Sequence, residues 1–320
     1  MVKVANNSKT NLYILSPNID DIFSTGQIKQ LGQLTAVYIE KQPKAFKNVP
    51  GLYTSNYPKA KIIALDPDFC AWNMPDQAIL NIPQLKAICL QTVSYDWLNT
   101  KLAKKKHISV TNLPGFSSRS AAEYELLIAM TLARQLPLVA NDHWSNDFNK
   151  YKGSEMLGKT AGIIGMGALG SHLAQICQSL DMKVIYWSRK ARNKTFRYVS
   201  LLKLLQESDF IFSAIPDNQR TKRLFPRNIL RKISRGEIVI SAFKCALNDS
   251  PYLTHQARNR KISGYGFETD NKNRGFIKSG NILALPNLAW NTDNSKQRNS
   301  QQWFESIQNA INDKYPNRVN

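Results

Sequence analysis

The chain has 320 residues, of which 42% are hydrophobic and 10% aromatic, and its 43 Lys plus Arg against 23 Asp plus Glu give a formal charge of +20 at pH 7. That length is too great for one ordinary core and short for three, so two domains are expected. No apolar run approaches the roughly 18 residues of a membrane-spanning helix, which excludes an integral helical membrane protein.

Residues 1–10 are polar and basic, without the apolar stretch of a secretory signal, so the expected location is cytoplasmic. In the first third, residues 12–16, 35–39, 61–65, 85–91 and 107–111 read as strands. Residues 26–34, 75–80 and 97–105 read as helices between some of them, and such alternation predicts a parallel α/β domain. Asn112-Leu113-Pro114-Gly115 is a turn signal, after which Ser117 or Ser118 caps a helix running to about residue 135. Its apolar positions Ala122, Leu126, Leu127, Met130, Leu132 and Ala133 keep near-helical spacing, and the expectation is packing at a domain or subunit interface.

From residue 160 the pattern restarts. Strands are expected at 160–164, 183–187, 209–215, 237–243, 263–268 and 281–285, and helices at 168–180, 201–206, 226–233 and 251–259, enough for a six-stranded doubly wound sheet. The amphipathic segment 295–311 is expected to return to the first domain. Four cysteines, Cys70, Cys89, Cys177 and Cys245, stand far apart and fit neither a metal cluster nor a disulfide framework. They read as buried thiols, and no metal is expected. The positive charge would attract polyanions, nucleotide phosphates among them. It is spread over residues 101–106, 183–203 and 220–235 without a basic tail or nucleic-acid motif. A solvated basic surface is therefore the main reading, and neither nucleic acid nor membrane is an expected partner.

Gly165-Met166-Gly167-Ala168-Leu169-Gly170 matches G-x-G-x-x-G. The string alone is weak, but it follows the apolar run 161–164 and opens a helix, as a dinucleotide fingerprint requires. Gly165 permits the tight turn, Gly167 lets backbone approach a pyrophosphate, and Gly170 lets helix and strand pack closely. NAD-preferring sheets carry an Asp or Glu about 20 residues onward to bond the ribose hydroxyl. Here the second strand runs into Ser188-Arg189-Lys190, with Arg192 following. No carboxylate would repel a 2′-phosphate and cations stand ready to pair with one, so NAD(P)H is the expected cofactor with NADPH slightly favoured. A solvated basic loop is the competing reading.

Several segments together resemble the D-isomer-specific 2-hydroxyacid dehydrogenase family: 112–115 with Ala122-Glu123-Tyr124, the run 157–165 approaching the glycine turn, Ala214-Ile215-Pro216 with Thr221, and 281–283 leading to Pro286. The resemblance implies two interleaved doubly wound domains. A flavodoxin-like substrate domain would comprise residues 1–112 and 292–320, and a Rossmann-type cofactor domain residues 113–291. It also implies a homodimer through the helix that begins near Ser118, a small anionic 2-hydroxy or 2-keto acid as substrate, and hydride transfer to or from it. Ile215, Pro216, Thr221, Phe243 and Glu268 would line the cofactor cleft, and the loop Val93-Ser94-Tyr95 would hold the substrate carboxylate.

The family's chemistry uses an Arg on the substrate carboxylate and a His as acid or base, held protonated by a Glu. All three positions depart. Lys244 takes the Arg place, keeping charge but losing the bidentate fork. Asn287 follows Pro286 where the family has His, and an amide exchanges no proton near neutrality. Asp270 or Asn273 lies near the acidic position, and Ser94 replaces a customary Gly. None of His107, His143, His172 and His255 ends a predicted strand. Two functions therefore stand side by side: a divergent oxidoreductase using Lys244, Asp270 and Asn287, and a catalytically impaired NAD(P)-binding protein that engages a macromolecular partner.

Overall fold

The computed structural model describes residues 2–4, 11–41, 59–191, 193–216, 221, 224–233, 236–242, 247, 250–270, 272 and 274–320. They form two compact units, one of residues 1–116 and 293–320 and the other of residues 117–292. No helix among the described residues is long and apolar enough to cross a membrane.

The first unit has strands β1 (Val2–Val4), β2 (Asn11–Leu15), β3 (Ala36–Glu40), β4 (Ile62–Leu65), β5 (Ala87–Leu90) and β6 (Ser109–Thr111). Their sheet order is β1-β3-β2-β4-β5-β6, parallel except for β1. Without β1 this is the flavodoxin-type doubly wound order, whose ligand crevice lies at strand carboxyl ends. Helices α1 (Ile19–Ile22), α2 (Thr25–Leu34), α3 (Asp76–Leu80) and α4 (Thr100–Lys105) connect the strands. Strand and helix types agree with the sequence, but α4 starts three residues late. Asn99 accepts the Leu102 N–H at 3.0 Å and caps it there, so residues 97–99 stay outside the helix.

The second unit opens with α5 (Ser118–Ala133) and α6 (Leu136–Asn141). Strands β7 (Thr160–Ile164), β8 (Lys183–Trp187), β9 (Arg197–Tyr198), β10 (Phe210–Ser213), β11 (Ile238–Ser241), β12 (Gly264–Glu268), β13 (Gly275–Phe276) and β14 (Ile282–Leu285) form one sheet. Its order is β13-β14-β12-β11-β10-β7-β8-β9. Helices α7 (Ala168–Ser179), α8 (Leu201–Glu207), α9 (Arg227–Leu230) and α10 (Pro251–Arg258) join them. Counted from β7 this is the Rossmann order extended by two strands, β14 and β13. The expected six strands become eight because the two-residue edge strands β9 and β13 are too short to leave a periodic signal.

The apolar positions of α5 divide between a core face and an exposed face. Ala121, Ala122, Ile128, Ala129, Leu132 and Ala133 are buried in the core of their own unit, where α5 packs on α7, β11 and β12. Leu127 and Met130 remain exposed. The small residues on the buried face allow close approach: a Cβ added to Gly266 of β12 would stand 2.1 Å from the Ile128 side chain.

The last helix, α11 (Asp293–Ile311), belongs to the first unit. Its Trp303 is fully buried, stacks on Phe23 at 5.1 Å and donates its indole N–H to the Cys89 carbonyl at 3.0 Å. Cys70, Cys89 and Cys177 are buried and free. Burial pushes the thiol of Cys177 up to about 12, with Glu125 adding to the rise. Cys245 lies outside the described residues.

Candidate active site

The glycine turn joins β7 to α7 at the carboxyl edge of the second sheet. Gly165 sits at φ 101°, where a side chain would be strained, and a Cβ on it would meet Ile215 at 2.6 Å and the Ala214 carbonyl at 2.8 Å. The end of β10 thus closes against the turn, bringing Ile215 to the fingerprint. A Cβ on Gly170 would stand 1.9 Å from the Gly165 carbonyl oxygen, so only glycine lets α7 start this close to its strand. At Gly167, by contrast, nothing lies within 4 Å of an added Cβ. The residue is exposed and begins α7 as its N-cap.

An open, side-chain-free backbone at the start of a twelve-residue helix is the shape a pyrophosphate needs. The residues present fit a dinucleotide. Gly165, Met166, Gly167, Ala168, Leu169 and Gly170 would hold its phosphates, and the nicotinamide would supply or accept hydride. Met166 and Leu169 are half-buried on the core, which keeps the turn rigid. Thr221 donates its hydroxyl to the Pro216 carbonyl at 2.6 Å. At the end of β8, Ser188 is half-buried and donates to the Lys190 carbonyl at 2.5 Å, while Arg189 and Lys190 are exposed.

The other end of the carboxyl edge is built differently. There β12 and β14 are neighbours, pairing Glu268 with Leu285. Glu268 is buried and its Oε1 accepts the N–H groups of Leu288 at 2.9 Å and Ala289 at 2.8 Å, clamping the turn after β14. Tyr124 of α5 reaches the Pro286 carbonyl of the same turn at 3.4 Å. Burial, with Glu268 adding to it, pushes that phenol up to about 12. The turn thereby presents Asn287, whose Nδ2 donates to Asp270 Oδ1 at 2.5 Å. Arg274 braces the loop by donating to the Asp270 carbonyl at 3.1 Å. Of the three catalytic residues read from the sequence, the structure brings Asp270 and Asn287 together. Lys244 lies outside the described residues, as do Phe243, Asn273 and Arg192.

Beneath this turn lies a residue that sequence reasoning passed over. Glu125 of α5 is wholly buried, and neither carboxyl oxygen has a hydrogen-bond partner of good geometry. Burial drives its pKa well above the carboxylate range and Glu268 raises it further, while the Ala242 backbone amide offsets only part of this. The signal was available. Glu125 interrupts the small apolar positions 121, 122, 128, 129 and 132 on the buried stripe of α5, where an acid demands an explanation.

In the first unit, the loop Val93-Ser94-Tyr95 follows β5. The Ser94 N–H donates to Thr92 Oγ1 at 3.2 Å and its hydroxyl to Asp96 at 2.6 Å, while Asn112 holds the Val93 carbonyl at 2.7 Å. Val93 and Tyr95 are exposed. The four histidines sit after α4, after α6, in α7 and in α10, and none of them ends a strand. Among the described residues no three His, Cys, Asp or Glu side chains gather as metal ligands.

Fold and turn together define a two-unit, Rossmann-type NAD(P)-binding protein. The family model for the NAD binding domain of D-isomer specific 2-hydroxyacid dehydrogenases matches residues 126–289. The chain belongs to that family of NAD(P)-dependent oxidoreductases. Its relatives include a hydroxypyruvate reductase of Thermotoga maritima, 27% identical over 234 residues that cover 70% of this chain and 76% of that one. A glyoxylate reductase of Aeropyrum pernix is 27% identical over 260 residues, 74% of this chain and 77% of its own. Among solved structures, a glyoxylate reductase from Paecilomyes thermophila superposes with TM-score 0.83 at 18% identity, over 97% of this chain and 98% of that one. An acyclic imino acid reductase in complex with NADPH and D-Arg gives TM-score 0.82 at 22% identity, over 97% and 100%.

Proposed function

We propose that the protein transfers hydride between NAD(P)H and carbon 2 of a small 2-hydroxy or 2-keto acid, or a related anion. The observation that carries this reading is the open Gly167 backbone at the start of α7, in a chain of the 2-hydroxyacid dehydrogenase family. In this reading the unit of residues 117–292 binds the dinucleotide and the other unit, through Val93, Ser94 and Tyr95, binds substrate. Lys244 neutralises the substrate carboxylate, and Asp270 and Asn287 face the reacting carbon. Ser188, Arg189 and Lys190 favour NADPH, because a 2′-phosphate would meet cations rather than a carboxylate. Ile215, Pro216, Thr221, Phe243 and Glu268 form or support the cofactor cleft. A cytoplasmic homodimer completes the reading, supported by the apolar Leu127 and Met130 that α5 leaves exposed.

Turnover of ordinary 2-keto acids is expected to be poor, since general acid catalysis supplies about 10² to 10⁴-fold and Asn287 holds the position of the acid. The test measures NADPH affinity by calorimetry and NADPH oxidation with a panel of 2-keto acids, in the wild type and in Lys244→Ala. The substitution should remove most activity while leaving dinucleotide affinity intact. Robust turnover with a bell-shaped pH profile, indifferent to Lys244→Ala, would overturn these roles. Tight NADPH binding with no turnover across the panel would move the reading to a non-catalytic NAD(P)-binding protein.

A further inference from the structure

The dinucleotide of a Rossmann sheet crosses the carboxyl edge at the strand-order switch, here between β7 and β10. A dinucleotide with its phosphates at the glycine turn would set its reacting half on the β10, β11, β12 and β14 side of that switch. Among the described residues, the polar side chains presented at the ends of β12 and β14 therefore bear on which electrophile could be reduced there. They are the hydrogen-bonded Asp270 and Asn287, both exposed.

Reducing a ketone leaves two electrons on oxygen, and the product forms only if an adjacent group donates a proton or hydrogen bonds to the developing alkoxide. Among the described residues this end of the site is poor in such donors, and Lys244 is taken up by the substrate carboxylate in the reading above. Asn287 spends an N–H on Asp270 and cannot be deprotonated. Its amide must point that way, because its oxygen against a carboxylate would be repulsive. Tyr124, the neighbouring phenol, is pushed up to about 12 and already reaches the Pro286 carbonyl. Glu125 is sealed in the core. What the Asp270–Asn287 pair turns outward is mainly acceptor oxygen and one negative charge, which would oppose an alkoxide.

An electrophile that already carries its proton has the opposite needs. An iminium group, C=N–H with a positive charge on nitrogen, is a hydrogen-bond donor and a cation. It loses its charge as it is reduced, and it requires no proton from the protein. From the Asp270–Asn287 pair we infer that the substrate is the iminium form of a 2-keto acid condensed with an amine, so that the product is an amino acid rather than a hydroxy acid. This rests on the hydride-transfer reading above and names its substrate class. Carbon 2 gains the hydride and a new C–H bond; the C=N π pair becomes the nitrogen lone pair. The charge lost by nitrogen appears on the oxidised cofactor, so atoms and electrons balance with no further reactant. Asp270 stabilises the cation before transfer, and Asn287 holds Asp270 in place.

The test incubates the full chain with NADPH and glyoxylate, pyruvate or phenylpyruvate, each with and without methylamine, and identifies products by mass spectrometry. The expected result is N-methyl amino acid, formed at least about tenfold faster than any hydroxy acid. Asp270→Asn should lower kcat/KM for the imine about 10²-fold, the scale of one preorganised electrostatic contact, with NADPH affinity unchanged. Asn287→His should shift the product ratio towards hydroxy acid. Hydroxy acid forming equally fast with or without methylamine would overturn this inference and leave the dehydrogenase reading standing, and so would imine turnover indifferent to Asp270→Asn. Neither product from any mixture, with NADPH binding intact, would overturn both.

Discussion

The two ends of one sheet edge have been treated differently. At the β7–α7 turn a side chain on Gly165 or Gly170 would collide with neighbouring backbone, while Gly167 leaves its backbone open. At the ends of β12 and β14 the architecture rests on side chains instead, where the exposed Asn287 and Asp270 meet in a hydrogen bond. Backbone sites change only with the fold, whereas side-chain sites can be rewritten on an intact scaffold.

The sharpest way to break this comparison is within the turn itself. Gly170→Val drives a side chain into the Gly165 carbonyl and should cost at least about 3 kcal/mol, the upper range for overpacking, read by urea denaturation. Gly167→Val meets nothing within 4 Å, so stability should hold while NADPH affinity falls about 10²-fold, or about 2.7 kcal/mol. Undiminished affinity in a folded Gly167→Val protein would remove the pyrophosphate from this turn.

A smaller effect is expected from Glu125. Its folded pKa is raised, chiefly by burial, so above the ordinary carboxylate range the unfolded chain releases a proton that the folded chain retains. Stability is then fully present at low pH and falls as pH rises, by up to about 1.4 kcal/mol per pH unit, until the folded pKa is passed. Glu125→Gln should flatten that decline, with denaturation midpoints across pH as the readout. An unchanged slope would show that the acid ionises in place.

The least effect belongs to cofactor choice. Arg189 is exposed, so Arg189→Ala should weaken NADPH only a few-fold relative to NADH, and added salt should erase the difference. A clear wild-type preference for NADH would refute the assignment of Ser188, Arg189 and Lys190.

The strands β7 and β8 were legible to the residue, because buried parallel strands are unbroken apolar runs bounded by Gly and polar turns. Edge strands β9 and β13 were not, since two residues carry no period. On α5, spacing alone did not separate the core face from the exposed one. Leu and Met outweigh Ala in apparent hydrophobicity, yet the core takes the small residues Ala121, Ala122 and Ala129 and leaves Leu127 and Met130 outside. Asn287 was placed by its neighbour Pro286, but its bond to Asp270 joins positions 17 apart, which no local pattern encodes. Glu125 was missed because Glu is an ordinary helix former and only burial makes it unusual.

The return of the chain into the first unit bears on the order of folding. Besides α11, the Val319 N–H bonds the Val110 carbonyl at 2.9 Å, and Asn320 bonds both Val110 and Ile108, pinning residues 319–320 along β6. The unit of residues 117–292 is continuous and can fold while its own residues emerge from the ribosome, at about 5–20 per second. The unit that starts first must wait. Until residues 293–320 have been made its sheet lacks α11 on the Trp303 side and the terminal residues along the outer edge of β6, so apolar residues of β2, β4 and β5 are only partly covered through synthesis of the whole intervening unit. A nascent chain stalled once residue 292 has cleared the ribosome, with residues 293–320 not yet emerged, should carry a finished second unit and an N-terminal segment in need of a chaperone.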